Sequence, residues 1–343
     1  MIEIDGAMGE GGGQILRTAL SLSLVTQRPV RLVNIRAKRS TPGLRPQHCT
    51  AVEAAATVGQ ADVSDVGPGT QELTFRPNGV TPGTYHFDVG TAGSVVLVLQ
   101  TVLPPLLTAP EPSSITVGGG THVRWAPPFE FFDRTFRPLV ERMGPTLRAT
   151  IDQYGFYPQG GGRCTVEVQP VSALSPLSLS ERGTFVRCTA TALVANLPRH
   201  IAERELRTLR THVPVRIDEE RIESPPAIGA GNALFVTLAF DHLTMVISGV
   251  GQKGVPAETV AERVADEVQS YLEASAPVGP HLADQVLVPL ALGGGEGRAT
   301  TLTGHAHTNA AVIDRFLPGR LTFEAEPTGA QIRAVLPDAQ SES

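Results

Sequence analysis

A glycine-rich segment near the N-terminus has the residue types that a phosphate-binding loop requires. Residues 9–14 read Gly-Glu-Gly-Gly-Gly-Gln, and Arg17 follows in a segment with helical spacing of apolar residues. Glycines let a phosphate approach the backbone, and a helix N-terminus offers free N–H donors. Glu10 adds a carboxylate that could hold a phosphate-bound divalent cation. The Gly-Lys-Ser/Thr ending of a Walker loop is missing, so a purely structural turn remains an alternative.

A cationic stretch follows and offers a second phosphate-binding candidate. The chain carries a net charge of −6, yet residues 12–51 contain no Asp or Glu and include Arg36, Arg39, Gln47 and His48. Guanidinium groups match phosphate oxygens in pairs, and Gln or His side chains can donate to phosphate or ribose. The pattern indicates a site for a few phosphates, with a basic surface loop as the alternative. Aromatic residues make up only 5% of the chain, which argues against long rows of base-stacking rings.

Two histidines near the C-terminus form the third candidate. Residues 304–309 read Gly-His-Ala-His-Thr-Asn, and we expect a strand over 299–303. At the end of a strand His305 and His307 would share one face, which could suit zinc, but the usual third ligand is not evident nearby. A neutral imidazole is also a competent nucleophile toward phosphorus. The motif alone does not choose between a nucleophile, a metal ligand and a polar strand end.

A fourth candidate is the polar pair Asp284 and Gln285, which precedes the apolar residues 286–292. Polar residues at the mouth of an apolar element often face a site. A helix cap provided by Asp284 is the alternative interpretation.

The order of the apolar patterns predicts an α/β fold of repeated units. Short strand patterns alternate with helical ones, and glycine-rich turns recur at residues 11–13, 90–93 and 118–120. A Ser-, Leu- and Pro-rich stretch at 172–182 precedes a change of pattern, and the first pattern returns after residue 277. We therefore predict an inserted domain at 182–277, a discontinuous parent domain at 1–181 and 278–338, and a loose tail at 339–343.

Targeting and redox signals favour the cytoplasm. No apolar run is long enough to cross a bilayer, and the first residues lack a signal-peptide pattern. Cys49, Cys164 and Cys188 are far apart and odd in number, so they indicate neither a zinc pattern nor a disulfide framework. We expect no membrane partner.

At these motifs the sequence resembles the RNA 3′-terminal phosphate cyclase family. The matching positions run in order along nearly the whole chain, so the resemblance is highly specific. They are residues 5–17, 42–44, 47–48, 93–94, 97–104, 155–158, 160–162, 198–200, 202–205 and 282–285, together with His305, Thr308 and Asn309.

The resemblance implies both a fold and a reaction. The fold would consist of repeated βαβαββ units, shared in outline with enolpyruvyl transferases, and a smaller inserted α/β domain. The reaction would be the ATP-dependent conversion of an RNA 3′-phosphate to a 2′,3′-cyclic phosphodiester, with release of pyrophosphate and AMP. The family's nucleophile, which carries AMP covalently, maps to His305 and not to His307.

The resemblance also implies roles for the other candidates. Glu10 would bind Mg²⁺ or Mn²⁺, and Arg17, Arg36, Arg39, Gln47 and His48 would hold substrate phosphates or RNA. ATP would be bound by Gln100, Pro127, His281, Leu282, Ala283, Asp284 and Gln285. The family often has Tyr where this chain has His281, a smaller and titratable ring that we expect to stack less well on adenine. Trp125 receives no role, and a homodimer is left open.

Two other functions compete with the cyclase. A noncatalytic relative that acts in ribosomal RNA processing would lack the nucleophilic histidine and parts of the nucleotide site, but His305, Glu10, Arg17 and Gln100 are all present. An enolpyruvyl-type transferase rests on fold analogy alone, which is weak grounds for an activity.

Overall fold

A computed structural model describes residues 1–336 and confirms an α/β fold of repeated βαβαββ units. The first unit forms a sheet of order β1-β2-β4-β3, in which β1 and β2 are parallel and the other neighbours antiparallel. Its elements are β1 (Ile2–Asp5), α1 (Gly13–Thr26), β2 (Val30–Val33), α2 (Pro46–Val58), β3 (Asp62–Val63) and β4 (Leu73–Arg76).

The second unit repeats this topology, with the sheet order β5-β6-β8-β7. Its second helical segment is interrupted by a π-helical turn, where Thr135 Oγ1 accepts a hydrogen bond of 2.9 Å from the Val246 N–H. The elements are β5 (Thr84–Asp88), α3 (Val95–Leu106), β6 (Ser113–Gly119), α4 (Phe129–Phe131), the π turn (Phe132–Phe136), α5 (Arg137–Glu141), β7 (Thr146–Gln153) and β8 (Gly162–Gln169).

The third unit starts with β9 (Leu177–Leu179), after which the chain builds a separate sheet. That sheet has the order β11-β10-β12-β13 and is covered by two amphipathic helices. Its elements are β10 (Phe185–Ala195), α6 (His200–His212), β11 (Glu219–Glu223), β12 (Gly231–Phe240), β13 (Thr244–Val250) and α7 (Ala257–Glu273). This arrangement supports our proposal of an inserted domain at residues 182–277.

The chain then returns and completes the third unit in a sheet of order β15-β16-β14-β9. The completing elements are α8 (Pro280–Gly293), β14 (Gly295–Ala299), α9 (Gly304–Phe316), β15 (Leu321–Glu326) and β16 (Gly329–Ala334). The predicted tail at 339–343 and the last two residues of the predicted parent domain lie outside the described residues.

Helices of the three units pack against one another in the core. Helix α1 contacts α2, α3 and α9, and α8 packs on α9. Helix α1 is buried on nearly all sides, which explains why its apolar residues are not confined to one face. The buried apolar side chains of this helix are Ile15, Leu16, Ala19, Leu20, Leu22 and Leu24. This packing brings the N-terminal ends of α1 and α9, from the first and third units, next to each other.

The structure differs from the expected elements around the histidine motif. The predicted strand at 299–303 is wrong: β14 ends at Ala299, and Thr303 caps α9 by accepting a hydrogen bond of 3.1 Å from the Ala306 N–H. His305 and His307 therefore lie on a helix, where residues two apart point to different sides. Across residues 1–336, no helix is both long and apolar enough to cross a membrane.

Candidate active site

The glycines before α1 bring the imidazole of His305 next to a carboxylate and a guanidinium. His305 Nε2 lies 3.0 Å from Glu10 Oε2, and Arg39 Nη2 lies 3.9 Å from the same oxygen. A methyl group at Gly12 would stand 3.1 Å from Arg39 Nη2 and 3.8 Å from His305 Cε1. All three side chains are about half exposed, so a ligand can reach them.

Close contact between the glycine loop and the first turn of α9 fixes this arrangement. Gly9 adopts a φ of 49°, and any side chain there would collide with Thr308 Oγ1. The Thr308 hydroxyl donates to the Gly304 carbonyl at 2.7 Å and accepts from the Glu10 N–H at 3.3 Å. At Gly304 a Cβ atom would come within 2.5 Å of Glu10 Oε1. The loop sequence thus sets the position of the Glu10 carboxylate.

His48 faces the same helix end as a neutral hydrogen-bond donor. Its Nδ1 accepts a hydrogen bond of 3.0 Å from the Arg45 N–H, which leaves the ring proton on Nε2. A side chain at Gly13 would collide with this Nε2. Burial lowers the pKa of His48 to about 3, and the charges of Arg17, Arg36 and Arg45 act in the same direction. His48 can therefore donate to an anion at neutral pH without being charged.

Arg17 projects from the first turns of α1 into the same region. Its Nη1 would lie 3.2 Å from a methyl group at Gly13. Burial lowers the pKa of Arg17 to about 10, against the opposing charge of Asp284, so the guanidinium stays charged at neutral pH. A cation held in such surroundings is suited to an anionic ligand.

Asp284 is held by side chains of α1 and α9. Gln14 Nε2 donates to its Oδ1, and Asn309 Nδ2 donates to its main-chain carbonyl at 3.0 Å and to Oδ1 at 3.2 Å. Asn309 Oδ1 in turn accepts from Thr18 Oγ1 at 2.7 Å. Burial raises the pKa of Asp284, although the hydrogen bond from Gln14 and the charges of His305 and Arg17 oppose this effect. The carboxyl is thus part of a network that joins three helices.

A cavity of about 60 Å³ lies between α1, α3 and α8. Gln100 and Gln285 meet at its wall, where Gln100 Nε2 donates to Gln285 Oε1 at 2.5 Å. Within residues 1–336, Gln14 Oε1 and Ser21 Oγ are buried without a hydrogen-bond partner, and both residues line this cavity. Buried polar atoms of this kind point to a bound polar group or water.

The side chains of Gln47 and Arg36 form hydrogen bonds with main-chain groups of neighbouring loops. Gln47 Oε1 accepts from the Ser94 N–H at 3.0 Å, which links the start of α2 to the start of α3. Arg36 Nη1 donates to the carbonyls of Thr41 at 2.8 Å and Gly43 at 2.5 Å. Burial lowers the pKa of Arg36, with smaller contributions from Arg39 and Arg45.

The remaining predicted nucleotide-binding residues are not gathered around the cavity. Leu282 and Ala283 are fully buried on α8, so they offer packing rather than polar side chains. The His281 side chain is 74% exposed, and interaction with the Glu267 carboxylate, 3.9 Å away, raises its pKa. Pro127 lies in the loop between β6 and α4 and is not among the described residues that line the cavity.

The neighbours of Glu10, the candidate metal ligand, are the His305 imidazole and the Arg39 guanidinium. Among residues 1–336, no cluster of three or more His, Cys, Asp or Glu side chains is arranged to hold a metal ion. Mg²⁺ is commonly bound through one or two carboxylates together with water and substrate phosphates. The half-exposed carboxylate of Glu10, beside Arg39 and the glycine loop, fits such a mixed ligand set.

Gln14 and Asn309, whose side chains hold Asp284 by hydrogen bonds, were not assigned a role from the sequence. Both occur in the quoted motifs, but their contact with Asp284 joins positions that are 270 and 25 residues apart. No spacing rule connects such positions, so only the assembled fold reveals the contact.

Comparisons with known proteins agree on one family over most of the chain. A family model described as "RNA 3'-terminal phosphate cyclase" matches residues 8–323. Proteins named RNA 3'-terminal phosphate cyclase are similar at 48% identity in Koribacter versatilis, covering 97% of this chain and 94% of that protein, and at 48% in Ralstonia nicotianae, covering 97% and 96%. One from Salmonella enteritidis is 46% identical, covering 97% and 98%.

Two solved structures of enolpyruvyl transferases resemble the chain weakly. The enolpyruvyl transferase NikO from Streptomyces tendae is 11% identical, with a TM-score of 0.37, over 97% of this chain and 48% of its own. The EPSP synthase from Acinetobacter baumannii is also 11% identical, with a TM-score of 0.28, over 97% and 82%. Likenesses at this level carry no conclusion about activity.

Proposed function

The chain belongs to the RNA 3′-terminal phosphate cyclase family of enzymes, and we propose that it closes an RNA 3′-phosphate onto the neighbouring 2′-hydroxyl with ATP. His305 attacks the α-phosphorus of ATP, forming a P–N bond while pyrophosphate leaves. An oxygen of the RNA 3′-phosphate then takes the AMP group, breaking the P–N bond and forming a phosphoanhydride. The 2′-hydroxyl finally attacks the terminal phosphorus, loses its proton, and AMP departs.

The observation that carries this proposal is the setting of the His305 imidazole. It stands at the N-terminal end of a helix, 3.0 Å from Glu10, with Arg39 beside the same carboxylate and Gly12 leaving space between them. A nucleophile toward a triphosphate needs cationic and N–H groups around it, because phosphoryl transfer depends on positioning and charge neutralisation. Attack through Nε2 further requires that this nitrogen be unprotonated and that Glu10 be engaged elsewhere.

We propose that the phosphates lie over the glycine loop. Arg17 and Arg39 would pair with phosphate oxygens, and neutral His48 would donate through Nε2. Gln47 has its carbonyl oxygen engaged with Ser94, so its amide group is the part left for a phosphate or ribose. The bonds of Arg36 to its own loop suggest that it supports the substrate site by holding residues 41–43 in place.

The adenosine moiety would lie toward α8. Gln100, Asp284 and Gln285 supply the polar groups there, and the unpartnered Gln14 oxygen adds an acceptor. Pro127 and the exposed ring of His281 would contribute only at the rim, together with the main chain at Leu282 and Ala283. Mg²⁺ or Mn²⁺, held by Glu10 and phosphate oxygens, would offset the triphosphate charge.

We propose the cytoplasm as the compartment. Cys49, Cys164 and Cys188 are all unpaired, and Cys164 and Cys188 are buried. Burial raises the pKa of both buried thiols, which keeps them protonated and unreactive. Such a set suits a reducing environment.

The direct test uses the wild-type protein, ATP, Mg²⁺ and an oligoribonucleotide with a labelled 3′-phosphate. We expect the terminal phosphate to become resistant to phosphatase while AMP and pyrophosphate are released in equal amounts. An otherwise identical oligonucleotide with a 2′-deoxy terminal sugar should accept AMP but stay uncyclised. Terminal phosphates that remain sensitive to phosphatase would instead favour a noncatalytic relative that acts in ribosomal RNA processing.

Replacing Glu10 should change the metal response of the enzyme. Because Glu10 would be the main protein ligand of the cation, we expect Glu10→Ala to raise the Mg²⁺ concentration for half-maximal adenylation about tenfold or more. The measurement is a metal titration of AMP transfer from labelled ATP to the protein. Glu3→Ala is the matched control, since Glu3 is an exposed carboxylate that pairs with Arg31 at 2.8 Å. An unchanged half-maximal concentration in Glu10→Ala would remove Glu10 from the metal site.

A further inference from the structure

The loop between β6 and α4 presents the only tryptophan of the chain to solvent. Trp125 is 90% exposed and adopts a φ of 63°. A large side chain in the left-handed region has a conformational cost, and such residues concentrate at ligand-binding sites. The Arg124 guanidinium lies 4.8 Å from the ring centroid of Trp125, so an aromatic face and a cation occur together.

The two ends of this loop are fixed by a buried network. His122 Nε2 lies 2.6 Å from Glu130 Oε2, and both side chains are buried. Thr121 Oγ1 bonds His122 Nδ1 at 2.8 Å, and the Phe129 N–H donates to the Thr121 carbonyl at 3.3 Å. The exposed ring therefore projects from a loop with anchored ends, which lowers the entropy cost of binding a ligand on it.

The loop begins at the edge of the candidate active site. Gln47 accepts from the Ser94 N–H at 3.0 Å, and the next residue, Val95, donates to the Gly120 carbonyl at 3.0 Å. Gly120 immediately precedes the anchored residue Thr121. Two hydrogen bonds and one peptide step thus connect a candidate phosphate-binding side chain with the start of the loop.

The charge of the loop suits a polyanion. Residues 118–129 contain Arg124 and no Asp or Glu, and the following Glu130 is buried against His122. An exposed ring beside a guanidinium is the combination that binds an unpaired base and its phosphate. The proposed ATP site takes its polar groups from the α8 side and would meet this loop only at its rim, through Pro127. The RNA chain is therefore the ligand that reaches outward from the phosphate site.

We propose that Arg124 and Trp125 form a stacking platform for an unpaired base of the RNA substrate upstream of its 3′-terminal phosphate. This inference rests on the proposed function, because it takes the ligand to be the RNA that the enzyme cyclises. The Trp125 ring stacks on the base, and Arg124 pairs with an adjacent phosphate. The platform selects single-stranded ends, since a base within a duplex cannot offer its face.

Trp125 itself provides the readout, because all tryptophan fluorescence of the chain comes from it. We expect a 3′-phosphorylated oligoribonucleotide, added without ATP, to quench this emission in a saturable way, and ATP alone to leave it unchanged. Labelled RNA that binds by anisotropy without changing the emission would overturn the platform. Quenching by ATP but not by RNA would also overturn it, by assigning the ring to the nucleotide site.

Substitutions separate the platform from the chemistry of the active site. Trp125→Ala should weaken binding of the oligoribonucleotide about tenfold, the order expected for one lost base–aromatic stack, and Trp125→Phe should restore most of it. Alanine has the same unfavourable energy at a positive φ as tryptophan, so this substitution does not add backbone freedom to the loop. AMP transfer from ATP to Trp125→Ala protein should equal wild type, and so should its KM for a nucleoside 3′-phosphate that lacks upstream bases.

The binding measurements do not depend on turnover, so the two proposals can fail separately. If wild type lacks cyclase activity but RNA quenches Trp125, the platform stands and the proposed reaction falls. If wild type cyclises RNA with the same KM for the oligoribonucleotide and the nucleoside 3′-phosphate, the platform falls and the reaction stands.

Discussion

His305→Ala is expected to abolish cyclisation and to prevent AMP from α-labelled ATP from remaining on the protein. The reason is that the proposed covalent route has no nucleophile once this imidazole is removed, so the rate should fall by more than about 10³-fold. The wild-type label should be acid-labile and stable to alkali, as expected for a P–N bond. The measurement is retained label after denaturation, together with phosphatase resistance of the RNA end.

His307→Ala is the matched control for this result. His307 lies on the same helix but on a different side, in an edge-to-face contact with Phe323 at a centroid distance of 6.3 Å. We expect this variant to keep most of its label and its cyclase activity. Full labelling of His305→Ala protein would refute the assignment of the nucleophile, and equal losses in both variants would indicate damage to α9 as a whole.

Local signals explain which elements could be predicted from the sequence. A helix over Pro46–Val58 can be predicted from the sequence, because a proline at the first position and the apolar spacing mark it, and α2 has these bounds. Strand β9 could not be predicted, because its three residues lie in a Ser-, Leu- and Pro-rich stretch and are stabilised by pairing with β14, more than 100 residues later. Helix α9 was missed because the preceding residues are Thr-rich, and strand and cap patterns look alike there.

The same contrast between local signals and long-range contacts applies to the residues of the candidate site. Motif residues such as Glu10, Arg39 and His305 could be proposed because their side-chain types suit phosphate chemistry, and the fold brings them together around Gly12. The state of His48 could not be predicted, because its low pKa arises from burial and from three arginines that converge only in the folded chain. Long-range assembly therefore determines how each candidate residue can act.

The buried pair His122 and Glu130 should make a large contribution to stability. The His122 ring is surrounded by aromatic side chains: it stacks on Tyr154 and Phe156 at centroid distances of 5.4 Å and makes an edge-to-face contact with Phe235 at 5.7 Å. His122→Ala would remove these contacts and leave the Glu130 carboxylate buried without its partner. We expect the free energy of unfolding to fall by about 3–5 kcal/mol, measured by urea denaturation near neutral pH.

The pH dependence of this loss follows from the carboxylate. Burial alone would raise the pKa of Glu130, but the charge of His122 and the hydrogen bonds to the carboxylate outweigh it and lower the pKa below its usual value of 4.5. The stabilisation by Glu130 is therefore present above that value and is lost as the pH falls through the lower folded-state pKa. The difference between wild type and His122→Ala should shrink over this acidic range.

An exposed ion pair provides the comparison for this experiment. Arg199 Nε lies 3.3 Å from Glu203 Oε1, and both side chains are largely exposed, so Glu203→Ala should change the unfolding free energy little. Because His122 also anchors the loop that carries Trp125, its loss should lower the fluorescence anisotropy of this exposed tryptophan before global unfolding. A His122→Ala protein as stable as wild type would contradict the expected contribution of the buried pair.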